Sequence, residues 1–369
     1  PNGAYAPETF IYIADSLRFR GKIDDALKAY DKALKEFKLK YSDDLKTDIL
    51  CAMVRCKIAK DKWSETVPFL KQIVEIATDS ERRNWASTIW TIVYLKEKDV
   101  ENVFRLVPTL LERDSFASRS VALNMAALET ADDLFAEEMY REALWIYRLV
   151  YSHDMLSLNA SRSLAKLQRD SEILKKRPSA LRALMRLQER IGETEAEIKA
   201  LDSMENYDIE LYSRMARAYM GIDRFREARE LFLYLHGETE GEASDENLYF
   251  AFRCSLNLRP LDRAFDIGRD YMEKFPTGEY FDPLTLAIGQ VYAMLQDWPM
   301  VIEHLKKTLT INPKHQDSAE CEFLIAYASF MEEDFEQTIH WLTQMNKDHP
   351  DNPRVMDGLY WLGMARMFS

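Results

Sequence analysis

The stretch PLTLAIGQVYAMLQDWPMVIEHLKKTLTINP, residues 283–313, decides the fold. Its first part places Ile288, Gly289 and Tyr292 on one side of a predicted helix A running from about Pro283 to Leu295. A polar turn at Gln296-Asp297 follows. Val301, Ile302, Leu305 and Leu309 then recur three and four residues apart, the spacing of a buried stripe on a helix B. Pro313 has no N–H to continue the ladder, so helix B ends before it. Val301 is small enough to let helix B approach helix A, and Trp298 fills the gap beside it.

Working outward, the large-then-small pair Trp298/Val301 has seven counterparts: Ile23/Ala26, Trp63/Thr66, Val100/Val103, Tyr140/Ala143, Phe225/Ala228, Leu261/Ala264 and Phe335/Thr338. The second members are spaced 40, 37, 40, 85, 36, 37 and 37 residues apart. A period in this range predicts an all-α solenoid of antiparallel helix pairs, a class that binds partners far more often than it catalyses. Four repeats are expected in 1–152 and four in 207–350, with 351–369 starting a further or capping helix. The 85-residue step covers 153–206, where Leu164, Leu167, Ser171 and Leu174 mark one long helix. Leu181, Leu184, Leu187, Ile191, Ile198 and Leu201 mark a second, and Pro178 lies between them. This segment is expected to be an extended antiparallel hairpin.

Composition narrows the function. The 369 residues carry a net charge of −13, which argues against nucleic-acid binding because phosphates need clustered Lys/Arg. No apolar run approaches the roughly 20 residues of a transmembrane helix. The chain starts at Pro1 rather than Met, so it reads as a fragment, and a removed signal peptide or lipid anchor stays open. Four cysteines (Cys51, Cys56, Cys254, Cys321) lack metal or disulfide spacing and read as buried thiols, compatible with either redox compartment.

Motifs for chemistry are missing. Six histidines, expected mostly at helix ends or on exposed faces of helix B, form no metal pattern, and no phosphate loop or nucleophile elbow occurs. The acidic run Gly237–Glu242 lacks the alternation of a calcium loop and reads as a flexible connector. No catalytic residue, metal or cofactor is therefore expected. Between Arg162 and Arg190 nine basic residues face three acidic ones, a local charge of +6. Lys175, Lys176, Arg177, Arg182 and Arg186 are its core. This patch reads either as a docking surface for an acidic partner or membrane periphery, or as side chains paired with carboxylates of the array.

Gly289, Tyr292, Val301 and Pro313, together with Ala14, Leu17, Gly21, Ala26, Tyr30 and Ala33, resemble the tetratricopeptide repeat across nearly the whole chain. The prolines at 276, 313 and 350 add a further exact 37-residue step. The resemblance implies a right-handed superhelix with a concave groove lined by the residue after each small helix A position. Those residues are Asp15, Arg217, Arg253, Gln290 and Tyr327, with Tyr249 and Phe323 one turn earlier. The alternative for the arginines is pairing with Glu210 or Glu246. The loops Lys274–Tyr280 and His349–Pro353, followed by Leu359–Gly363, are similar to those of bacterial envelope tetratricopeptide proteins. That likeness implies a periplasmic or envelope setting, with a cytoplasmic one as the alternative. The expected function is a non-enzymatic scaffold binding a peptide or protein surface. The alternatives are a structural subunit of an envelope assembly and a recognition module of a larger protein.

Overall fold

The computed structural model describes residues 6–37, 42–112, 120–176 and 181–369. Among these there are 19 α-helices and no strand. The chain divides into two compact units, 1–211 and 212–369.

Unit 1 begins with four helix pairs: α1 (Ala6–Phe19) and α2 (Ile23–Phe37); α3 (Asp43–Ile58) and α4 (Val67–Ile76); α5 (Ser80–Lys96) and α6 (Val100–Glu112); α7 (Val121–Ala136) and α8 (Tyr140–Tyr147). A 3-10 turn, Ser64–Thr66, leads into α4. The long hairpin follows as α9 (His153–Lys175) and α10 (Leu181–Asp202), which pack on each other. It belongs to the same compact unit as the preceding pairs rather than standing as a separate segment. The boundary between units falls inside α11 (Tyr207–Gly221).

Unit 2 continues with α12 (Phe225–Glu238), α13 (Gly241–Leu256), α14 (Asp262–Lys274), α15 (Phe281–Met294), α16 (Trp298–Ile311), α17 (Ser318–Met331), α18 (Phe335–Asp348) and α19 (Val355–Phe368). From α12 onward each helix packs on its sequence neighbour. The acidic run 237–242 is not a loop: α12 extends through Glu238 and α13 opens at Gly241, whose φ of +61° turns the chain.

All eight pairs sit where helix B starts, and every small member is buried: Ala26, Thr66, Val103, Ala143, Ala228, Ala264, Val301 and Thr338 are at most 1% exposed. Close approach explains Gly289 as well. A Cβ there would lie 2.7 Å from Leu305 Cδ2, so only glycine lets α15 and α16 meet at this depth. Seven of the eight A-to-B turns share one device. The residue two before the large member (Gly21, Asp61, Lys98, Glu138, Asp223, Gln296, Glu333) has φ between 54° and 73°. The N–H that follows it donates back to a carbonyl five residues earlier, as Lys22 does to Leu17 and Asp297 to Tyr292. This is the Schellman closure of a helix C-terminus. The eighth turn instead carries Arg259-Pro260 with a cis peptide bond.

The periodic prolines have a matching cause. The N–H groups of Phe275, Asn312 and His349 each donate at 2.8 Å to Tyr271, Thr308 and Met345, closing α14, α16 and α18. The next residue is Pro276, Pro313 or Pro350, which cannot extend the helix.

Candidate functional site

Arg217, Arg253, Gln290 and Tyr327 each lie eleven residues before the small member of their pair, so they hold one register on successive odd-numbered helices. Arg217 and Arg253 are exposed, as is Gln290. Arg217 pairs with Glu246 at 2.8 Å and lies over the Phe250 ring, 5.6 Å from its centroid. Arg253 donates to the Tyr249 hydroxyl at 3.1 Å and has no ion-pair partner among the described residues. Two aromatic candidates sit lower than a surface anchor would. Tyr249 is buried beneath Tyr280, whose ring stacks on it at 4.4 Å, and Phe323 is buried beneath the Arg354 guanidinium at 4.9 Å. Tyr327 is half-buried, held edge-on between Trp298 (5.7 Å) and Trp361 (5.1 Å).

Sequence reading passed over Met294 and Met331. Each lies four residues after Gln290 or Tyr327, hence on the same helix face, and both are exposed. Their 37-residue separation was a usable signal, masked because methionine is also a common core residue. The stripe Leu286–Gln290–Met294 and its counterpart Phe323–Tyr327–Met331 give this part of unit 2 an apolar character that the Arg217–Arg253 part lacks.

A cavity of about 500 Å³ opens beside Leu286. In the two preceding repeats a buried or half-buried carboxylate ties down the B-to-A loop: Asp245 accepts from the Glu279 N–H (3.0 Å) and Asp282 from the Gln316 N–H (2.7 Å). At the next step the carboxylate position is Ala319 and the loop position is Pro353, which has no N–H to offer. Glu320 instead takes Arg354 through two nitrogens at 2.9 Å each, and the vacated space is lined by Ala319, Glu320, His349, Pro353 and Arg354.

The equivalent register in unit 1 is engaged by the protein itself. Asp15 accepts from the buried Tyr30 hydroxyl, whose pKa is raised by burial and by Asp15. Arg55, also eleven residues before its small partner Thr66, meets two carboxylates of α10: Glu193 at 3.4 Å and Glu189 at 3.8 Å. Glu189 also pairs with Arg18 of α1, and Arg190 with Glu81 of α5. Farther along, burial pushes the Glu197 carboxyl up to about 6, with the Ala122 backbone of α7 beside it. Of the basic patch, Arg186 is therefore not free for docking: it pairs with the buried carboxylate of Asp48. Lys175 pairs with Glu172 at 2.6 Å, and Lys176 is exposed. Arg177 and the Arg182 side chain lie outside the described residues.

Other candidates settle into the core. Burial pushes the thiols of Cys51, Cys254 and Cys321 up to about 12 and that of Cys56 to about 11, so none is a nucleophile near neutrality. His315 lies in the turn between the ends of α16 and α17 but is buried there, between the Thr285 hydroxyl (3.2 Å) and the Asp317 N–H (3.0 Å). Among the described residues no helix is long and apolar enough to cross a membrane, and no His/Cys/Asp/Glu group is arranged to hold a metal ion.

Buried small residues at the A/B contact and the turn geometry recur at steps of 36–40 residues, broken once by the hairpin, and the closing prolines of unit 2 recur at 37. The helix pairs are tetratricopeptide-like. No family model and no curated protein matches the chain. Similar solved structures include the tetratricopeptide-repeat domain of P58(IPK), at 14% identity over 98% of both chains with a TM-score of 0.27. The APC/C hetero-tetramer Cut9-Hcn1 matches at 12% identity over 98% of this chain and 90% of that one, TM-score 0.42. The C-terminal part of a tetratricopeptide repeat-containing protein from Cytophaga hutchinsonii matches at 11% identity, over 95% and 99%, TM-score 0.34. Superposition at these scores is loose, so the fold rests on this chain's own helix pairs.

Proposed function

We propose that this protein is a non-enzymatic scaffold that binds a segment of another protein along the helix A stripe of unit 2. The observation that carries the reading is the one-register row Arg217, Arg253, Gln290, extended by the exposed Met294 and Met331. Arginine supplies directed hydrogen bonds at interfaces, and methionine supplies adaptable apolar contact. Arg253 has donors to spare, since its only described side-chain bond is to Tyr249. The cavity beside Leu286 offers room for one side chain of the bound segment.

The test is an Arg217→Glu, Arg253→Glu variant, checked for folding by circular dichroism and compared with wild type in a pulldown from source-cell extract. The captured protein is then purified and titrated against both. Binding at least tenfold weaker for the variant supports the stripe. Equal affinity moves recognition elsewhere and overturns the reading.

A second reading is a structural subunit of a larger assembly, with the envelope setting implied by the 274–280 and 349–353 loops. It is favoured by the open face of α19, where Met356, Leu359, Tyr360 and Met367 are each more than half exposed. Mass measurement across concentrations separates the two, because an assembly subunit associates with itself or a fixed partner while a scaffold stays monomeric until its ligand is added.

A further inference from the structure

The helix that unit 1 holds against its own stripe describes the ligand that unit 2 is built to take. On α3, Asp48 and Arg55 are seven residues apart, two turns along one face, about 10 Å. α10 answers them in the same order and at the same spacing. Arg186 meets Asp48, and Glu189 and Glu193 meet Arg55. The contacts of α10 step from α1 (Glu189 to Arg18) and α3 to α5 (Arg190 to Glu81) and α7 (Glu197 beside Ala122), so α10 lies across the odd-numbered helices with the stripe Arg186–Glu189–Glu193 turned to α3. The apolar stripe Leu184, Leu187, Ile191 and Ile198 lies on the other side of α10, whose main packing partner is α9.

Unit 2 repeats this charge pair. Glu246 and Arg253 are again seven apart on one helix, and Arg253 occupies the register of Arg55. Glu210 and Arg217 show the same spacing in sequence. Both carboxylates also have a partner within the array, though on opposite sides: Asp48 is shared between Arg186 of α10 and Arg82 of the following α5 (2.8 Å), whereas Glu246 is held by Arg217 of the preceding α11 (2.8 Å) and stays partly exposed. Among the described residues no carboxylate pairs with Arg253, whose side chain bonds Tyr249.

Resting on the proposed function, we infer that the segment bound along unit 2 is an α-helix whose face carries a basic residue followed by acidic residues three and seven positions later. This is the pattern of Arg186, Glu189 and Glu193. The basic residue meets Glu246, the acidic pair meets Arg253, and apolar residues farther along the helix reach Gln290, Met294 and the Leu286 cavity. Extended or phosphorylated segments fit the stripe less well, because neither reproduces the 10 Å spacing of opposite charges on one face.

The probe is a stapled, fluorescently labelled peptide of residues 181–202, its helicity confirmed by circular dichroism, titrated by anisotropy against the full chain. The wild-type protein is expected to bind it, more weakly as ionic strength rises. Arg253→Glu should weaken binding by about tenfold, and a peptide carrying Glu189→Lys and Glu193→Lys should bind that variant better than it binds wild type. This reciprocal rescue places the peptide on unit 2 rather than on the α10 seat of unit 1. No binding to wild type, or binding indifferent to Arg253→Glu, overturns the helix code. If the code fails while the Arg217→Glu, Arg253→Glu variant still loses its cellular partner, the stripe stands and only the ligand's form is wrong. If that variant keeps its partner as well, both readings fall.

Discussion

Two glycines 74 residues apart show how local space sets the cost of one methyl group. Gly289 has Leu305 Cδ2 within 2.7 Å of where its Cβ would sit, whereas Gly363, at the same register two repeats on, has nothing within 4 Å. Gly289→Ala is expected to lower stability by about 1–3 kcal/mol through overpacking, while Gly363→Ala raises it by up to about 1 kcal/mol through helix propensity. Urea denaturation of both variants checks the contrast, and equal shifts would contradict it. Small residues at the helix contact were legible in sequence, but the difference between these two was not, because it depends on whether a helix B lies opposite. Glu322 is a second case hidden from sequence. Burial first, then the charge of Asp348, pushes its carboxyl up to about 7, opposed by a hydrogen bond from Gln344; His349 Nε2 lies 3.7 Å away. A raised carboxyl favours the protonated form in the fold, so its stabilising share is complete below about 4.5 and is lost as pH rises through about 7. Glu322→Gln should remove that loss, leaving the variant more stable than wild type at pH 8 by on the order of 2 kcal/mol. Thermal melts of both proteins between pH 5 and 8 test it.

At the scale of elements, the eight helix pairs could be read because their large/small signature reflects packing that each repeat must satisfy. The polar turn at Gln296-Asp297 was legible too, but the left-handed residue that makes these turns was not. Glycine marks the left-handed residue only at Gly21; elsewhere Asp61, Lys98, Glu138, Asp223, Gln296 and Glu333 hold it. The closing hydrogen bond from the next N–H enforces the conformation whatever the side chain. Gly21→Ala, with open space around its Cβ, should therefore cost about 1 kcal/mol from backbone strain alone. Gln296→Gly should be stabilising by a similar amount, since glycine carries no such strain. Chemical denaturation midpoints at unchanged m-value would check both. The long hairpin was also legible, from its leucine stripes and Pro178. Its resting place was not, since a basic stretch in sequence looks alike whether it faces water or the Asp48 carboxylate.

Across the molecule, charge does what apolar packing does inside each repeat. Unit 2 carries 26 Asp/Glu against 16 Lys/Arg, so most of the net −13 resides there, while in unit 1 the basic hairpin offsets the acidic array. The α10 seat is held by ion pairs that range from largely buried (Arg18–Glu189) to partly exposed (Arg55–Glu193), and the Nε atoms of Arg18 and Arg186 are buried there without a hydrogen-bond partner. Such a seat is specific and salt-sensitive rather than strong. Arg186→Glu should speed hydrogen exchange in residues 181–202 severalfold, an Asp48→Arg partner change should restore much of the protection, and added salt should mimic the single variant. Exchange rates unmoved by either charge reversal or salt would show that α9 alone fixes α10. A helix tethered in this way acts at an effective concentration in the millimolar range, which few diffusing competitors reach in a cell. On the proposed reading the chain would act as a monovalent reader although it carries two comparable stripes: one is occupied from within, so avidity would come from joining several chains.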